Sequence, residues 1–342
     1  MSDVLAVSNL TKRFRGRGIT VSIRNEFTAV DTVSFTVAKN SIFGLVGESG
    51  SGKTTVARSI LYLDPPSEGE VSFEGISLSG LSPKQLRSYR RKMQIIFQDP
   101  NAALNPKLTI NQSMEEGLKN RKIQKQERDE KIDEMLTLVG ITPAHKNRYP
   151  HEFSGGQKQR ICIARALVMD PDFIVLDEPV SNLDVSIQAQ IINLLLDLKK
   201  RFSLTYLFIS HDLNLISYLS DTIAVMYAGR IVEIAPAEAI ISRPGHPYTI
   251  HLFSSVPGAS VPGAAAGAAA PGASGDGAGS KKERTEKISQ DIRKNTITGG
   301  CPYYPKCPQK IESCTEAIPE LAFFGKGHYI ACIRAEKNIK EE

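Results

Sequence analysis

Apolar and polar positions alternate from Val4 to Leu10 and again from Val30 to Val37, with Val33, Phe35 and Val37 in register, which predicts two antiparallel strands. The polar, basic stretch from Lys12 to Phe27, carrying Gly16 and Gly18, reads as the loop between them. Ile42 to Val46 is apolar or glycine throughout and reads as a short buried strand, followed by a helix from Thr54 to Leu63. Short strands are then expected at Val71 to Phe73 and Gln94 to Phe97, with a basic helix from Pro83 to Lys92 between them. From Asn105 to Pro150 the period becomes helical: Thr109 to Leu118 and Glu127 to Val139 place apolar residues three and four apart, as at Ile132, Met135, Leu136 and Val139. Helices at Gln157 to Met169, Ile187 to Phe202 and Leu213 to Leu219 alternate with strands at Phe173 to Asp177 and Leu204 to Ser210. A hairpin closes the pattern, Thr222 to Tyr227 and Arg230 to Ile234, turning at Ala228-Gly229.

Strands alternating with helices imply an α/β core with a mainly parallel sheet and crossover connections. Antiparallel strands stand at its N-terminus, and residues 105–150 form an inserted helical subdomain. Residues 1–250 therefore read as one domain. Residues 256–280 are almost wholly Ala, Gly, Pro, Ser and Val, too small to bury the surface that offsets ordering entropy, so a flexible linker is expected. The charged segment Lys281 to Lys287 follows, and residues 281–342 read as a small cysteine-bearing C-terminal domain.

Composition narrows the setting more than the activity. The chain has 342 residues, 41% hydrophobic and 23% charged, ordinary for a globular protein. Its net charge of +5 is spread along the chain and gives no argument for nucleic acid. No run approaches the ~20 apolar residues of a membrane span, and the N-terminus lacks a secretory h-region. A cytosolic protein is expected, with any membrane role peripheral.

The candidate chemistry starts at Gly47-Glu48-Ser49-Gly50-Ser51-Gly52-Lys53-Thr54, which fits G-x-x-x-x-G-K-S/T between a strand and a helix. In that context backbone N–H groups and a helix N-terminus cradle phosphates, with Thr55 beside them. Lys53 would reach the β- and γ-phosphates, and the Thr54 hydroxyl would ligate Mg²⁺. Phe173 to Leu176 would be a buried strand delivering Asp177 and Glu178 at its C-terminal end, where open α/β sheets bind ligands. Asp177 is placed to hold Mg²⁺ through water, and Glu178 to orient or deprotonate an attacking water. Ser154-Gly155-Gly156-Gln157 opens a helix as a second anion cradle, or as a plain serine cap. His211 and Gln98 both end strands, His211 within reach of a γ-phosphate and Gln98 of Mg²⁺ or water.

In this order the motifs resemble an ATP-binding cassette (ABC) ATPase over residues 1 to about 240. The resemblance assigns a Q-loop at Gln98, a signature at Ser154 to Gln157, a D-loop at Ser181-Asn182-Leu183-Asp184 and a switch histidine at His211. Phe153 and Asn182 depart mildly from the family's usual residues. Phe14 falls where an aromatic shelf for adenine belongs, with Phe27 the alternative. Phe97 to Pro106, Ser181 to Gln190 and Gly245-His246-Pro247-Tyr248-Thr249 are similar to the ATPase subunits of oligopeptide and dipeptide permeases. That resemblance implies ATP hydrolysis driving peptide import at the cytoplasmic face of a membrane. It also implies two integral-membrane permease subunits, a second ATPase subunit (usually a paralogue) and an external substrate-binding protein. In such a dimer Ser154 to Gln157, with Asp184, would meet ATP held by the other chain. The alternatives are an importer ATPase for nickel or another small solute, and a soluble ABC ATPase acting on nucleic acid or ribosomes.

The cysteines divide unevenly. Cys162 lies on an apolar helical stretch and reads as core. Cys301-x5-Cys307-x6-Cys314-x17-Cys332 supplies four soft ligands, suited to Zn²⁺ or an iron–sulfur cluster. The spacing lacks the close cysteine pairs of small zinc modules, and the resemblance to peptide-permease ATPases implies a 4Fe–4S cluster with Zn²⁺ as the alternative.

Overall fold

The computed structural model describes residues 2–15, 26–119, 123–254 and 299–335. Its centre is an eight-stranded sheet in which five contiguous strands, running to one edge, are parallel. These are β3 (Ile42–Val46), β6 (Met93–Ile96), β7 (Phe173–Asp177), β8 (Thr205–Ser210) and β9 (Thr222–Tyr227), in the spatial order β9-β3-β8-β7-β6. They read as unbroken apolar runs because both faces are covered. Ile42, Val46, Ile174, Leu176, Tyr206 and Phe208 belong to one buried cluster, and the intervening Phe43, Leu45, Phe173, Val175, Leu207 and Ile209 to the other.

The second cluster is roofed by a separate antiparallel sheet of β1 (Asp3–Arg15), β2 (Glu26–Ala38), β4 (Glu68–Phe73) and β5 (Ile76–Ser77), in the order β2-β1-β4-β5. The alternation of Val33, Phe35 and Val37 points those side chains into this cluster. The loop expected from Lys12 to Phe27 is shorter than its polarity suggests: β1 continues to Arg15, β2 begins at Glu26, and Phe14 pairs with Phe27. Polar partners stand in for burial there, since Lys12 Nζ donates to the Pro65 carbonyl at 2.7 Å and Arg13 pairs with Glu68. The middle of the expected loop, residues 16–25, lies outside the described residues.

Four helices cross on and off the sheet: α1 (Lys53–Ile60), α6 (Gly155–Leu167), α7 (Val185–Phe202) and α8 (Leu213–Leu219). The basic α2 (Pro83–Lys92) is fixed by a capping box, the Ser82 hydroxyl accepting from the Gln85 N–H while the Gln85 side chain accepts from the Ser82 N–H. Between β6 and α6 run α3 (Pro100–Ala103), α4 (Ile110–Lys119) and α5 (Lys125–Leu138). The expected helical periodicity holds, because Ile110, Met114, Leu118, Ile132, Met135 and Leu136 are all buried in the first cluster. They share that cluster with Ile161, Ile163 and Leu167 of α6.

At the other edge, β10 (Arg230–Pro236) forms the expected hairpin with β9 through Ala228 and Gly229, both at positive φ (47° and 85°), the backbone a tight hairpin turn requires. Next come α9 (Ala237–Ser242) and α10 (Pro247–Ser254). Residues 255–298, with the expected linker, lie outside the described residues. The described part of the tail begins at Gly299, and its described residues make no separate sheet. Its two strands, β11 (Ala322–Phe323) and β12 (Tyr329–Ile330), extend the central sheet by pairing β12 with β10. Beneath that junction the buried Glu233 carboxylate accepts the Gly245 and His246 N–H groups at 2.7 and 2.8 Å and faces His328 Nε2 at 2.7 Å. A buried charge is tolerated when it is this fully bonded. Among the described residues no helix is long and apolar enough to cross a membrane.

Candidate ATP site and cysteine cavity

The C-terminal ends of four parallel strands converge on one cleft. β3 leads into the glycine-rich loop, β7 ends at Asp177, β8 is followed by His211, and β6 by Gln98. The cleft has a volume of about 330 Å³, and Ser49, Gly50, Lys53, Thr54, Gln98 and Glu178 are among its lining residues. Thr55 lines it as well. Gly52 caps α1 with φ 105°, and a Cβ there would lie 2.5 Å from the Ala29 carbonyl oxygen, so the loop can approach β2 only with glycine at this position.

Lys53 is 5% exposed and folds back over its own loop, donating to the Gly47 and Glu48 carbonyls at 2.7 and 2.8 Å and lying 3.4 Å from Ser51 Oγ. Thr54 Oγ1 donates to Asp177 Oδ1 at 3.2 Å. Burial pushes the Asp177 carboxyl up, against the Thr54 hydrogen bond, and pushes the Lys53 ammonium down, against the charges of Glu178 and Asp177. Both charged forms are thus under-solvated where they stand. An anion beside Lys53 and a cation beside Asp177 would relieve both at once. Thr54 and Asp177 are hard oxygen donors in hydrogen-bond contact, a pair that fits Mg²⁺.

Glu178 sits in the left-handed region at φ 48°, unusual for a residue with a Cβ, and its N–H donates to the Ile209 carbonyl at 3.0 Å. Its two carboxylate oxygens are divided between neighbours. Oε1 lies 3.2 Å from His211 Nδ1, and Oε2 accepts from Gln98 Nε2 at 3.0 Å. Gln98 Nε2 also donates to Ser181 Oγ at 3.1 Å. Those bonds do not use the Gln98 amide oxygen, the atom able to ligate a cation. The three residues singled out at separate strand ends therefore form one connected group.

Ser154 to Gln157 lies elsewhere. It caps α6 as a reciprocal box, Gln157 N–H donating to Ser154 Oγ at 3.4 Å and Ser154 N–H to Gln157 Oε1 at 3.0 Å. None of these residues lines the cleft of their own chain. Within one chain the turn is a helix cap. Gly156 allows α6 to approach α7, where a Cβ would sit 2.7 Å from Ile187 Cγ2. Asp184 precedes α7 with its side chain exposed and no cap bond, and the adjacent Val185 is 82% exposed.

Of the two aromatics, Phe27 lines the cleft and Phe14 does not. The Phe14 ring, 40% exposed, instead lies under Lys12 Nζ at 5.2 Å. The continuation of both strands past the expected loop boundary is the reason, since it carries Phe27 next to Ala29 at the loop's edge. Sequence reasoning placed Ser181 in the D-loop but not beside Gln98, and assigned no site role to Tyr248, whose hydroxyl accepts the Glu48 N–H at 3.1 Å. The histidine-proline-tyrosine run containing Tyr248 was the available signal.

The four tail cysteines converge on a single cavity, shared with His246, Tyr303 and Pro319. Cys301 N–H donates to the Cys314 carbonyl at 2.8 Å, and none of the four is in a disulfide. Burial pushes the Cys301 thiol up to about 11 and Cys307 upward as well, so as they stand both are protonated at neutral pH. The donor set suits a thiophilic group. Among the described residues, however, no three His, Cys, Asp or Glu side chains are gathered closely enough to hold a metal ion in this structure.

Comparison with known proteins matches this geometry. A family profile described as "ABC transporter" covers residues 30–181, and one described as "Oligopeptide/dipeptide transporter, C-terminal region" covers residues 232–314. The oligopeptide transport ATP-binding protein OppF of Bacillus subtilis is 50% identical over 257 residues, 74% of this chain and 82% of that protein. AppF of the same organism, also named an oligopeptide transport ATP-binding protein, is 43% identical over 307 residues, 89% of this chain and 88% of that one. Among solved structures, the ATP-binding cassette MJ0796, a dimer bound to ADP and Pi, superposes with a TM-score of 0.60 at 28% identity over 68% of this chain and 98% of that chain. The α/β fold with its mixed sheet is thus that of an ABC ATPase. The chain belongs to the ATP-binding subunits of ABC transporters, in the oligopeptide and dipeptide transporter group.

Proposed function

We propose that this chain hydrolyses ATP to energise peptide import, and that the cleft over β3, β6, β7 and β8 is where it does so. The observation that carries this reading is that Lys53, Thr54, Gln98 and Glu178 line one cleft, with Asp177 bonded to Thr54 and His211 to Glu178 behind them. The phosphates of ATP lie along Gly47 to Thr55, with the Lys53 ammonium, steadied by the loop carbonyls, reaching phosphate oxygens. Thr54, Asp177 and Gln98 would hold Mg²⁺, whose chemistry when bound would be to neutralise charge on the phosphates. Glu178 accepts a proton from, or orients, the attacking water, and His211 keeps its carboxylate aimed. Phe27, at the cleft wall, stacks on adenine in place of Phe14.

The second cradle, Ser154 to Gln157, acts on ATP held by another ATPase chain, together with Asp184. When that chain closes, the capping box yields its N–H groups to the γ-phosphate. The segment after Gln98 transmits the motion. Asn101 Oδ1 accepts from Lys158 Nζ at 2.8 Å, the Ala103 carbonyl from Arg165 Nη1 at 2.6 Å, and Asn182 Nδ2 reaches the Gln98 carbonyl at 3.4 Å. α3, just after Gln98, is thus bonded to α6 and carries its motion to two integral-membrane permease subunits, with the chain peripheral on the cytoplasmic side. A paralogous second ATPase and an external substrate-binding protein complete the assembly. Uptake of a labelled oligopeptide into proteoliposomes carrying the assembled transporter tests this reading. ATP-dependent peptide uptake supports it, and uptake of a nickel complex without any of peptide contradicts it.

The four tail thiols would hold a metal group, an iron–sulfur cluster in preference to Zn²⁺, only if drawn together around it. Its role is structural, joining segments separated along the tail. Anaerobically purified protein is expected to contain iron and sulfide and to absorb broadly in the visible range. Zinc alone, or no metal, in the same preparation contradicts the cluster.

A further inference from the structure

Tyr248 lies on α10, outside the residues that resemble the cassette motifs, yet it touches the phosphate loop. Its side chain is fully buried, and its hydroxyl takes the Glu48 N–H at 3.1 Å. The same peptide unit is held at its other end, where the Gly47 carbonyl accepts the Lys53 ammonium at 2.7 Å. The Glu48 carbonyl also accepts Lys53, at 2.8 Å, and the Ser51 N–H, at 3.2 Å. Rotating the Gly47–Glu48 peptide plane would break the tyrosine bond and the first lysine bond together. A hydroxyl on one side and an ammonium on the other thus fix one plane.

The tyrosine is itself braced. Its ring centroid lies 4.6 Å from that of Tyr227 and 5.4 Å from that of Tyr303, which in turn packs edge-on to Tyr227 at 5.2 Å. Its backbone N–H donates to Nδ1 of the buried His246 at 3.0 Å. Tyr303 belongs to the cysteine-bearing tail and lines the cysteine cavity. Three aromatic rings therefore connect the tail to the loop that carries Lys53, and a buried phenol this confined has few other orientations.

We propose that Tyr248 is a positioning residue of the ATP site: its hydroxyl holds the Gly47–Glu48 peptide so that Lys53 stays aimed at bound phosphates. The inference rests on the glycine-rich loop being the ATP site. Tyr248→Phe deletes one hydrogen bond and keeps the ring packing. In the full chain within the assembled transporter, it is expected to raise the KM and Kd for MgATP about three- to tenfold. Saturated turnover should stay within about twofold of the parent, because the groups around Glu178 are untouched. Unchanged Kd, or a lowered kcat at unchanged KM, overturns the proposal. Amide exchange at Glu48 in the parent protein gives a reading that needs no variant: strong protection is expected, and rapid exchange overturns it. Lys53→Ala, measured alongside, separates the two levels. Loss of MgATP binding in Lys53→Ala with none in Tyr248→Phe refutes only the positioning role, whereas normal binding in Lys53→Ala refutes the site itself.

Discussion

Glu178→Gln is expected to bind ATP and fail to hydrolyse it. The substitution keeps the side chain's length and an oxygen for the Gln98 amide, so the cleft should retain its shape. It removes the group able to accept a proton from water. General-base loss of this kind costs about 10²- to 10⁴-fold in rate. It also removes a charge that, after burial itself, helps hold the Asp177 carboxyl up, so magnesium binding should not suffer. Phosphate release measured over a single turnover should fall by that factor while nucleotide stays with the protein through gel filtration. Normal phosphate release from this variant would refute the assignment of Glu178 as base.

Lys53→Ala is expected to abolish transport without unfolding the chain. Among the described residues the ammonium's hydrogen-bond contacts are with its own loop, at 2.7 to 3.4 Å, and Lys53 itself lines the cleft, so truncation opens room for water beside those acceptors. Burial already opposes its charge, so little folding stability rests on it. Its value lies with the phosphates, where deletion of one preorganised charge costs roughly 10²- to 10³-fold in turnover. ATP-driven peptide uptake should therefore disappear, with the thermal midpoint close to that of the parent. A large drop in that midpoint with ATP affinity intact would assign Lys53 to structure.

The strands of the core were legible because each is buried on both faces. Ile42 to Val46, Phe173 to Asp177 and Thr222 to Tyr227 match their expected boundaries, and a nearly continuous apolar run leaves few alternatives. The extension of β1 to Arg15 was not legible, because its charged residues are satisfied by Pro65 and Glu68, far along the chain. That long-range pairing is also what brings Phe27, and not Phe14, to the cleft. The motif residues themselves could be placed from order and spacing. Their mutual bonds could not. Nothing in the sequence shows that Gln98, Glu178 and His211 share one carboxylate, or that Tyr248 meets Glu48 from 200 residues away. Equally hidden was the tail's attachment, which depends on two-residue strands pairing with β10 and on the buried Glu233 carboxylate.

The central claim is that the ATP site is shared between two chains, one supplying Lys53 and the other the Ser154 turn. Within a single chain that turn only caps α6 and stays out of the cleft. Sedimentation of Glu178→Gln together with its partner ATPase, with and without ATP and with and without Ser154→Arg, tests this directly. ATP should drive association of the two ATPase chains, and Ser154→Arg should abolish that association while the isolated chain binds ATP with parental affinity. Loss of ATP binding by the isolated Ser154→Arg chain, or association that survives the substitution, would contradict a shared site.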